Sequence, residues 1–330
     1  MPSVTVIVPV RNEAQSIEET LRMLLSQDYP TNRYEVIVAD GGSTDETVPI
    51  VRRLQGDYAN LKLVFNPSRI SSAGRNTALR HMTGDFAVVV DGHCQVPDSH
   101  YLRQLVEAFE SSQADSLGRP QPLDAPNPTA FQQALSSARA SRLGHNPDSD
   151  IFSDEAKFVA PQSTAVAYRR QVFHTVGLFD QAFDACEDVE FNQRVDDAKL
   201  TCYFTPQLKV VYHPRRSWAA LFAQLARYGC GRARLAAKNP RSLTLPALVP
   251  PLWAIWLVVG AIGSMVSSIV MAAYLASIGL YLSAILFGAV WLARGKPWRV
   301  GVRIPAVFVG IHMGFAWGFL RETLDRINRI

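Results

Sequence analysis

Short apolar runs and helical stripes alternate along the first ninety residues. Val4–Val10 is an apolar, β-branched run interrupted by Pro9 and followed by Asn12. Within Ala14–Gln27, Ile17, Leu21, Leu24 and Leu25 recur at helical spacing. Tyr34–Ala39 is a second apolar run, ending on Asp40-Gly41-Gly42, and Asp45–Leu54 predicts a helix with Asp45 placed to cap it. Leu61–Phe65 predicts a third strand, Ser71–His81 a third helix and Phe86–Val90 a fourth strand ending on Asp91. This alternation predicts an α/β fold of right-handed βαβ units around a mostly parallel sheet. Ligands of such sheets bind beyond the carboxyl ends of the strands. Three polar clusters fall there: Arg11-Asn12-Glu13, Asp40-Gly41-Gly42-Ser43 and Asp91-Gly92-His93. Neither GxGxxG after the first strand nor GxxxxGK[ST] occurs, which disfavours a dinucleotide oxidoreductase and a P-loop nucleotidase. Arg119–Thr129, with Pro120, Pro122, Pro126 and Pro128, predicts a surface loop that orders over substrate.

The pattern changes at Ser242. From there to Ala293, 52 consecutive residues carry no Asp, Glu, Lys, Arg or His. One bilayer crossing takes roughly 20 apolar residues, so the stretch predicts two spans, about 246–267 and 270–292, with Ser264, Ser267 and Ser268 at the turn. A third run, 304–320, contains His312 and fits a span, a re-entrant segment or an interfacial one. Trp253, Trp256, Trp291, Trp298 and Trp317 sit near the expected ends, where aromatic rings favour the headgroup level.

Charge sharpens this division. The 330 residues carry 33 Lys+Arg and 29 Asp+Glu, and residues 242–330 hold seven of the former and two of the latter. The basic excess therefore lies beside the apolar segments, unlike a nucleic-acid binder, which spreads it over a folded surface. At 48% hydrophobic the chain is not disordered, and four Cys without a CxxC pair do not make a disulfide scaffold. Arg294, Lys296, Arg299 and Arg303 place the loop before the third segment in the cytoplasm, and two crossings put everything upstream there too. The opening MPSVTVIVPV reads as a first strand, not a signal peptide. The expected organisation is a soluble domain over 1–214, an amphipathic interface helix over 215–241 and a membrane region over 242–330.

Several residues bear chemistry. Asp91 and His93, two apart at a strand end, suit a divalent cation on a diphosphate leaving group, and equally a plain Asp-Gly turn. His213 ends another strand-like run and either joins that site or is structural. Asp184, Glu187, Asp188 and Glu190 are four carboxylates in seven residues. Crowded together they would raise one another's pKa, as suits a general base; a solvated helix start is the plainer alternative. Gln224, Arg227 and Tyr228 lie in an apolar-striped helix with Trp218, Leu221, Phe222 and Leu225, read as lying at the membrane surface. Arg227 there suits a diphosphate.

Val6-Ile7-Val8-Pro9-Val10-Arg11-Asn12-Glu13 followed by Val38-Ala39-Asp40-Gly41-Gly42-Ser43-Thr44-Asp45 resembles the opening of family 2 inverting glycosyltransferases with the GT-A, Rossmann-like fold. Asp91-Gly92-His93 stands at that family's DxD position, Glu187-Asp188 at its ED base motif, and Gln224-x-x-Arg227-Tyr228 at its QxxRW motif. The C-terminal apolar segments are similar to those of succinoglycan-type exopolysaccharide glycosyltransferases. The resemblance implies that Pro9, Arg11, Glu13, Asp40 and Gly42 surround the nucleotide of a UDP-sugar, with Arg69, Arg75 and Asn76 on its diphosphate side. Asp91, with His93 and His213, would hold Mg²⁺ or Mn²⁺. Asp188, beside Glu187, would take the acceptor proton in a single in-line displacement, while Gln224, Arg227 and Tyr228 meet acceptor and diphosphate. His93 in place of a second Asp and Tyr228 in place of Trp depart from the pattern.

The expected activity is transfer of a hexose such as glucose from a UDP-sugar to a polyprenyl-diphosphate-linked saccharide. The enzyme would be a multi-pass protein of the inner (plasma) membrane with its catalytic domain in the cytoplasm. Membrane lipids and glycan-assembly proteins are its expected partners, and no nucleic acid is. The alternatives are a processive polysaccharide synthase, a polyprenyl-phosphate sugar synthase and a non-catalytic sugar-nucleotide sensor.

Overall fold

Burial along Val4–Val10 follows the strand period of two. Val4, Val6, Val8 and Val10 face one layer of helices and Ile7 the other. The computed structural model describes residues 1–145 and 149–328. In chain order its elements are β1 (Val4–Val10), α1 (Ile17–Leu25), β2 (Tyr34–Asp40), α2 (Thr47–Gln55), β3 (Leu61–Phe65), α3 (Ser71–Arg80), β4 (Phe86–Val89), β5 (Cys94–Gln95), α4 (Tyr101–Ser112), β6 (Ser116–Gly118) and α5 (Ala130–Arg139). There follow β7 (Lys157–Val159), α6 (Pro161–Thr164), β8 (Ala165–Arg169), α7 (Arg170–Val176), α8 (Glu187–Asp197), β9 (Cys202–Phe204), β10 (Val211–Tyr212), α9 (Trp218–Lys238), α10 (Leu245–Ser264), α11 (Ser268–Ala293), α12 (Trp298–Gly301) and α13 (Ile304–Ile327). They fall into two compact units, residues 1–123 with 149–213, and residues 124–145 with 214–328. The expected continuous domain 1–214 is thus interrupted: α5 packs among the C-terminal helices through Phe131, Ala134, Leu135 and Ala138.

The first unit is an α/β sandwich around an eight-stranded sheet of order β3-β2-β1-β4-β8-β6-β9-β7. β3, β2, β1 and β4 run parallel, as the βαβ reading requires. Beyond β4 the sheet is mixed, because β8 enters antiparallel to both β4 and β6. A second, two-stranded sheet pairs β5 with β10 antiparallel, Tyr212 opposite Cys94. Asp45 does not cap α2 in the simple sense. Its Oδ1 accepts from the Thr47 N–H and its Oδ2 from the Ala14 N–H, so one side chain serves two loops. Arg119–Pro122 is not the expected surface loop: Arg119 is wholly buried.

Away from the carboxyl ends of the strands, Glu35 is buried in the sheet. It accepts from Thr5 Oγ1 (2.7 Å), from Thr83 N (2.6 Å) and from Lys62 Nζ (2.6 Å). Burial alone would raise its pKa; the Lys62, Thr5 and Thr83 bonds outweigh that and hold it below the ordinary value.

In the second unit three helices, Leu245–Ser264, Ser268–Ala293 and Trp298–Ile327, are long and apolar enough to cross a membrane. They stand at the three expected positions, and the last runs past residue 320. α10 and α11 form a hairpin tied by Trp256 Nε1 to Ser277 Oγ (2.9 Å) and Tyr274 OH to the Leu257 carbonyl (3.2 Å). Both ring nitrogens of His312 have partners, Tyr281 OH at 3.0 Å and the Leu143 carbonyl at 2.8 Å.

α9 departs from expectation: much of its apolar face is covered by protein. Leu221, Leu225 and Leu235 are buried, and α13 lies along α9 through Gly310, Gly314 and Gly318, four residues apart on one face. A Cβ on Gly318 would stand 1.9 Å from the Ala226 carbonyl oxygen, and one on Gly229 2.1 Å from that of Phe315. Small residues let helix backbones approach this closely.

Gly318→Ala is therefore expected to force the two backbones apart at a cost of about 1–3 kcal/mol, the usual range for overpacking. Thermal melts of the detergent-purified protein should show this as a lower midpoint. Glu35 adds a pH dependence. Its folded pKa is depressed, so its contribution is present above its unfolded pKa, about 4.3, and is lost as pH falls through the folded value. Glu35→Gln should melt lower than wild type at neutral pH, with the gap closing on acidification.

Candidate active site

Two loops at the carboxyl ends of β1 and β2 are stitched together by side chains. Asn12 N–H donates to Ser43 Oγ (2.8 Å), Thr44 N–H to Asn12 Oδ1 (2.8 Å), Glu13 N–H to Thr47 Oγ1 (2.8 Å) and Ala14 N–H to Asp45 Oδ2 (3.1 Å). Asp40 is buried, and its carboxylate accepts from the Gly42 and Ser43 N–H groups at 3.0 and 3.2 Å. Gly42 turns there with φ +73°, and the Arg69 side chain lies across it. Arg11 and Arg69 are exposed at this rim, and Pro9 is half-buried in β1.

α3 fastens the segment leading to α8. Asn76 Nδ2 donates to the Phe179 carbonyl (2.7 Å) while its Oδ1 accepts from the Phe179 N–H (2.9 Å), and Ser72 Oγ donates to the Phe183 carbonyl (2.7 Å). Buried, with Nδ2 and Oδ1 both bonded to Phe179, Asn76 fastens α3 to the segment before α8. Its neighbour Arg75 is also buried, pairs with Glu187 Oε1 (Nη2 at 3.1 Å) and lies 5.2 Å from the Phe179 ring centroid. Burial would lower the guanidinium pKa, but Glu187, then Asp91 and Asp188, hold it above its ordinary value. One buried cation thus feels the carboxylates of both the strand-end motif and the helix-start motif.

The carboxylates around Asp188 do not form the mutually repelling cluster expected. Glu187 is paired with Arg75, and buried Glu190 with Arg194 (2.9 Å). Asp188 alone of that adjoining trio is exposed, at the first turn of α8, where a negative charge is favoured.

Asp91 follows β4, and the small β5–β10 sheet brings Tyr212 to it: Tyr212 OH donates to Asp91 Oδ2 at 3.1 Å. Burial, with Asp91 and Cys94 close by, keeps that phenol protonated. His93 Nδ1 meets Glu13 Oε1 at 3.0 Å, which puts the neutral ring's proton on Nδ1 and its lone pair on Nε2. A carboxylate behind an imidazole in this way is a frequent support for a metal-binding histidine. His213 Nε2 is buried without a hydrogen-bond partner among the described residues. Among the described residues, however, no three His, Cys, Asp or Glu side chains stand together as a metal cage, so Asp91, His93 and His213 are not a preassembled ligand set. Gln224, Arg227 and Tyr228 belong to the other unit, on α9, where Gln224 Nε2 donates to Tyr228 OH (3.0 Å) and Arg227 is exposed.

The family described as glycosyl transferase family 2 matches residues 5–177. A succinoglycan biosynthesis protein of Rhizobium meliloti, ExoA, is 30% identical over 98% of this chain and 96% of its own length. The chain belongs to glycosyl transferase family 2. Glycosyltransferase AglE of Haloferax volcanii is 28% identical over 71% of this chain and 74% of its own. Among solved structures, the mannosyltransferase PcManGT of Pyrobaculum calidifontis, in complex with GDP-Man and Mn²⁺, superposes with a TM-score of 0.63 at 24% identity. It covers 98% of this chain and 88% of its own. The S. aureus TarS fragment with UDP gives 0.52 at 18% identity, covering 99% and 92%. The family 2 glycosyltransferase thus has the GT-A fold.

Tyr212 and Arg119 of this glycosyltransferase carry no sequence signal of a place near Asp91: Tyr212 adjoins His213 in a strand-like run, Arg119 heads a proline-rich one, and no periodicity marks either. Arg75→Met would leave Glu187 buried without its cation, which costs about 3–5 kcal/mol. Pairing it with Glu187→Leu should restore most of the melting temperature without restoring sugar transfer, which separates folding from catalysis.

Proposed function

We propose that this glycosyltransferase moves a hexose, such as glucose, from a UDP-sugar to a saccharide carried on polyprenyl diphosphate, with inversion, at the cytoplasmic face of the inner membrane, in exopolysaccharide or envelope glycan synthesis. The observation carrying this reading is the buried Arg75–Glu187 pair (3.1 Å) at the start of α8, which leaves the adjoining Asp188 carboxylate exposed as the base. Supporting it are the near full-length likeness to the succinoglycan protein and a 23% identical Methanococcus voltae relative, covering 98% of both chains. That relative's name places it on a dolichyl-linked N-acetylglucosaminyl phosphate. TarS structures hold UDP and UDP-GlcNAc.

The mechanism follows from the chain's own groups. The stitched Asn12–Thr47 loops and Asp40 receive the nucleoside, and Arg11 and Arg69 face its phosphates. Asp91 and His93, backed by Tyr212 and Glu13, would hold a divalent cation on the diphosphate side. His213 Nε2 is a further available nitrogen on that side. When bound, the cation neutralises charge on the departing diphosphate. Asp188 accepts the proton of the acceptor hydroxyl as that oxygen bonds to C1, and the C1–O bond to the diphosphate breaks on the opposite face. Glu187, tied to Arg75, anchors the base helix and does not itself take the proton. Gln224, Arg227 and Tyr228 receive the acceptor's sugar and diphosphate, and the apolar helices hold the enzyme in the lipid.

Membranes containing the protein, incubated with radiolabelled UDP-hexoses or GDP-mannose with and without EDTA, should place label from a UDP-hexose in a short lipid-linked glycan, and EDTA should prevent it. Label in high polymer would favour a processive synthase, and label on a polyprenyl monophosphate the sugar synthase. UDP binding without any transfer would leave the sensor. Asp188→Asn should lose at least about a hundredfold in rate, the lower end of what a general base supplies, while still binding UDP. Near-normal turnover would remove Asp188 from the role.

A further inference from the structure

Arg119 is the largest wholly buried side chain among the described residues. Burying a guanidinium is costly unless something answers its charge. Among the described residues no carboxylate does so. Its Nη2 donates to the Val89 carbonyl at 3.1 Å, while Nε and Nη1 make no hydrogen bond among the described residues. The guanidinium lies 5.9 Å from the centroid of the Tyr212 ring, within cation–π range. Thr164 Oγ1 donates to the Arg119 carbonyl at 3.1 Å, so the backbone of this residue is held as well.

These contacts converge on one place. Val89 is the last residue of β4, two before Asp91, and Tyr212 is the residue whose hydroxyl donates to Asp91 Oδ2. Arg119 therefore grips the strand that carries Asp91 and the ring that orients its carboxylate. We propose that Arg119 is a positioning residue for the Asp91 carboxylate: it seats the Tyr212 ring, Tyr212 OH holds Oδ2, and Oδ1 is kept for a divalent cation bound with a nucleoside diphosphate. This rests on the cation reading of Asp91 given above. Hydrogen-bond partners that orient a metal's ligands alter metal affinity by about 10–100-fold.

The test is binding of Mn²⁺ in the presence of UDP, followed by loss of the free Mn²⁺ paramagnetic resonance signal on adding the full-length, detergent-purified protein. Tyr212→Phe keeps the ring and removes the hydroxyl; its Mn²⁺ affinity should fall about tenfold or more. Arg119→Lys should fall in the same direction. Because Arg119 acts through Tyr212, the double variant should be no weaker than the weaker single variant. UDP affinity without metal should stay at the wild-type value in all three. Folded variants with wild-type Mn²⁺ affinity, or with additive losses, would overturn the inference, leaving Arg119 a packing residue. Where Arg119→Lys does not fold, Arg119→Gln, which keeps a donor for the Val89 carbonyl but no charge beside the ring, takes its place in the same cycle with the same expected outcomes; additive losses, or wild-type Mn²⁺ affinity, overturn the proposal. A wild type that takes up no Mn²⁺ beside UDP would sink the cation reading itself, and this inference with it, whereas uptake by wild type matched in every variant sinks the inference alone.

Discussion

The pairing of Arg75 with Glu187, in a place nearly without water, is the constraint on which the catalytic arrangement depends. Such a pair adds little net stability, because desolvation of both ions offsets most of their attraction. It does fix a register. Either partner alone would be an uncompensated charge, so α3 and the start of α8 are held to one mutual position. The Asn76–Phe179 and Ser72–Phe183 bonds reinforce that position with neutral contacts. Asp188, one residue after Glu187, inherits its placement from this arrangement and needs no partner of its own to keep it.

The first unit then divides its labour by solvent access. Groups that set geometry are buried and bonded to the protein itself, such as Asp40, Asn76, Glu187 and Arg119. Groups suited to substrate, such as Arg11, Arg69 and Asp188, stand exposed at the strand ends and at the start of α8. The UDP-sugar we propose as donor would then be held by a few aimed groups.

Much of this was legible in the residues alone. The parallel half of the sheet followed from the alternation of β-branched runs and helical stripes, and the apolar hairpin from a long charge-free stretch. What escaped notice depends on contacts between distant segments. Arg119 looks like loop because four prolines follow it, yet its buried guanidinium reaches the Val89 carbonyl and the Tyr212 ring. Asn76 looks like a ligand-binding amide because nothing local shows that Phe179 engages both of its ends. α9 looks like a surface helix because its stripe is apolar. The glycines that let α13 cover it, Gly310, Gly314 and Gly318, lie some ninety residues further along the chain, and nothing local to α9 points to them.

The two-stranded β5–β10 sheet has a consequence for biogenesis. It joins residues 94–95 to 211–212, so Tyr212 cannot meet Asp91 until nearly all of the first unit has been synthesised. Domains fold as units, N-terminal parts first, during synthesis. The parallel half of the sheet can therefore form early, but the Tyr212–Asp91 contact closes last, shortly before the first apolar helix emerges. Nascent chains that stall between these events would be folded in appearance yet lack that contact.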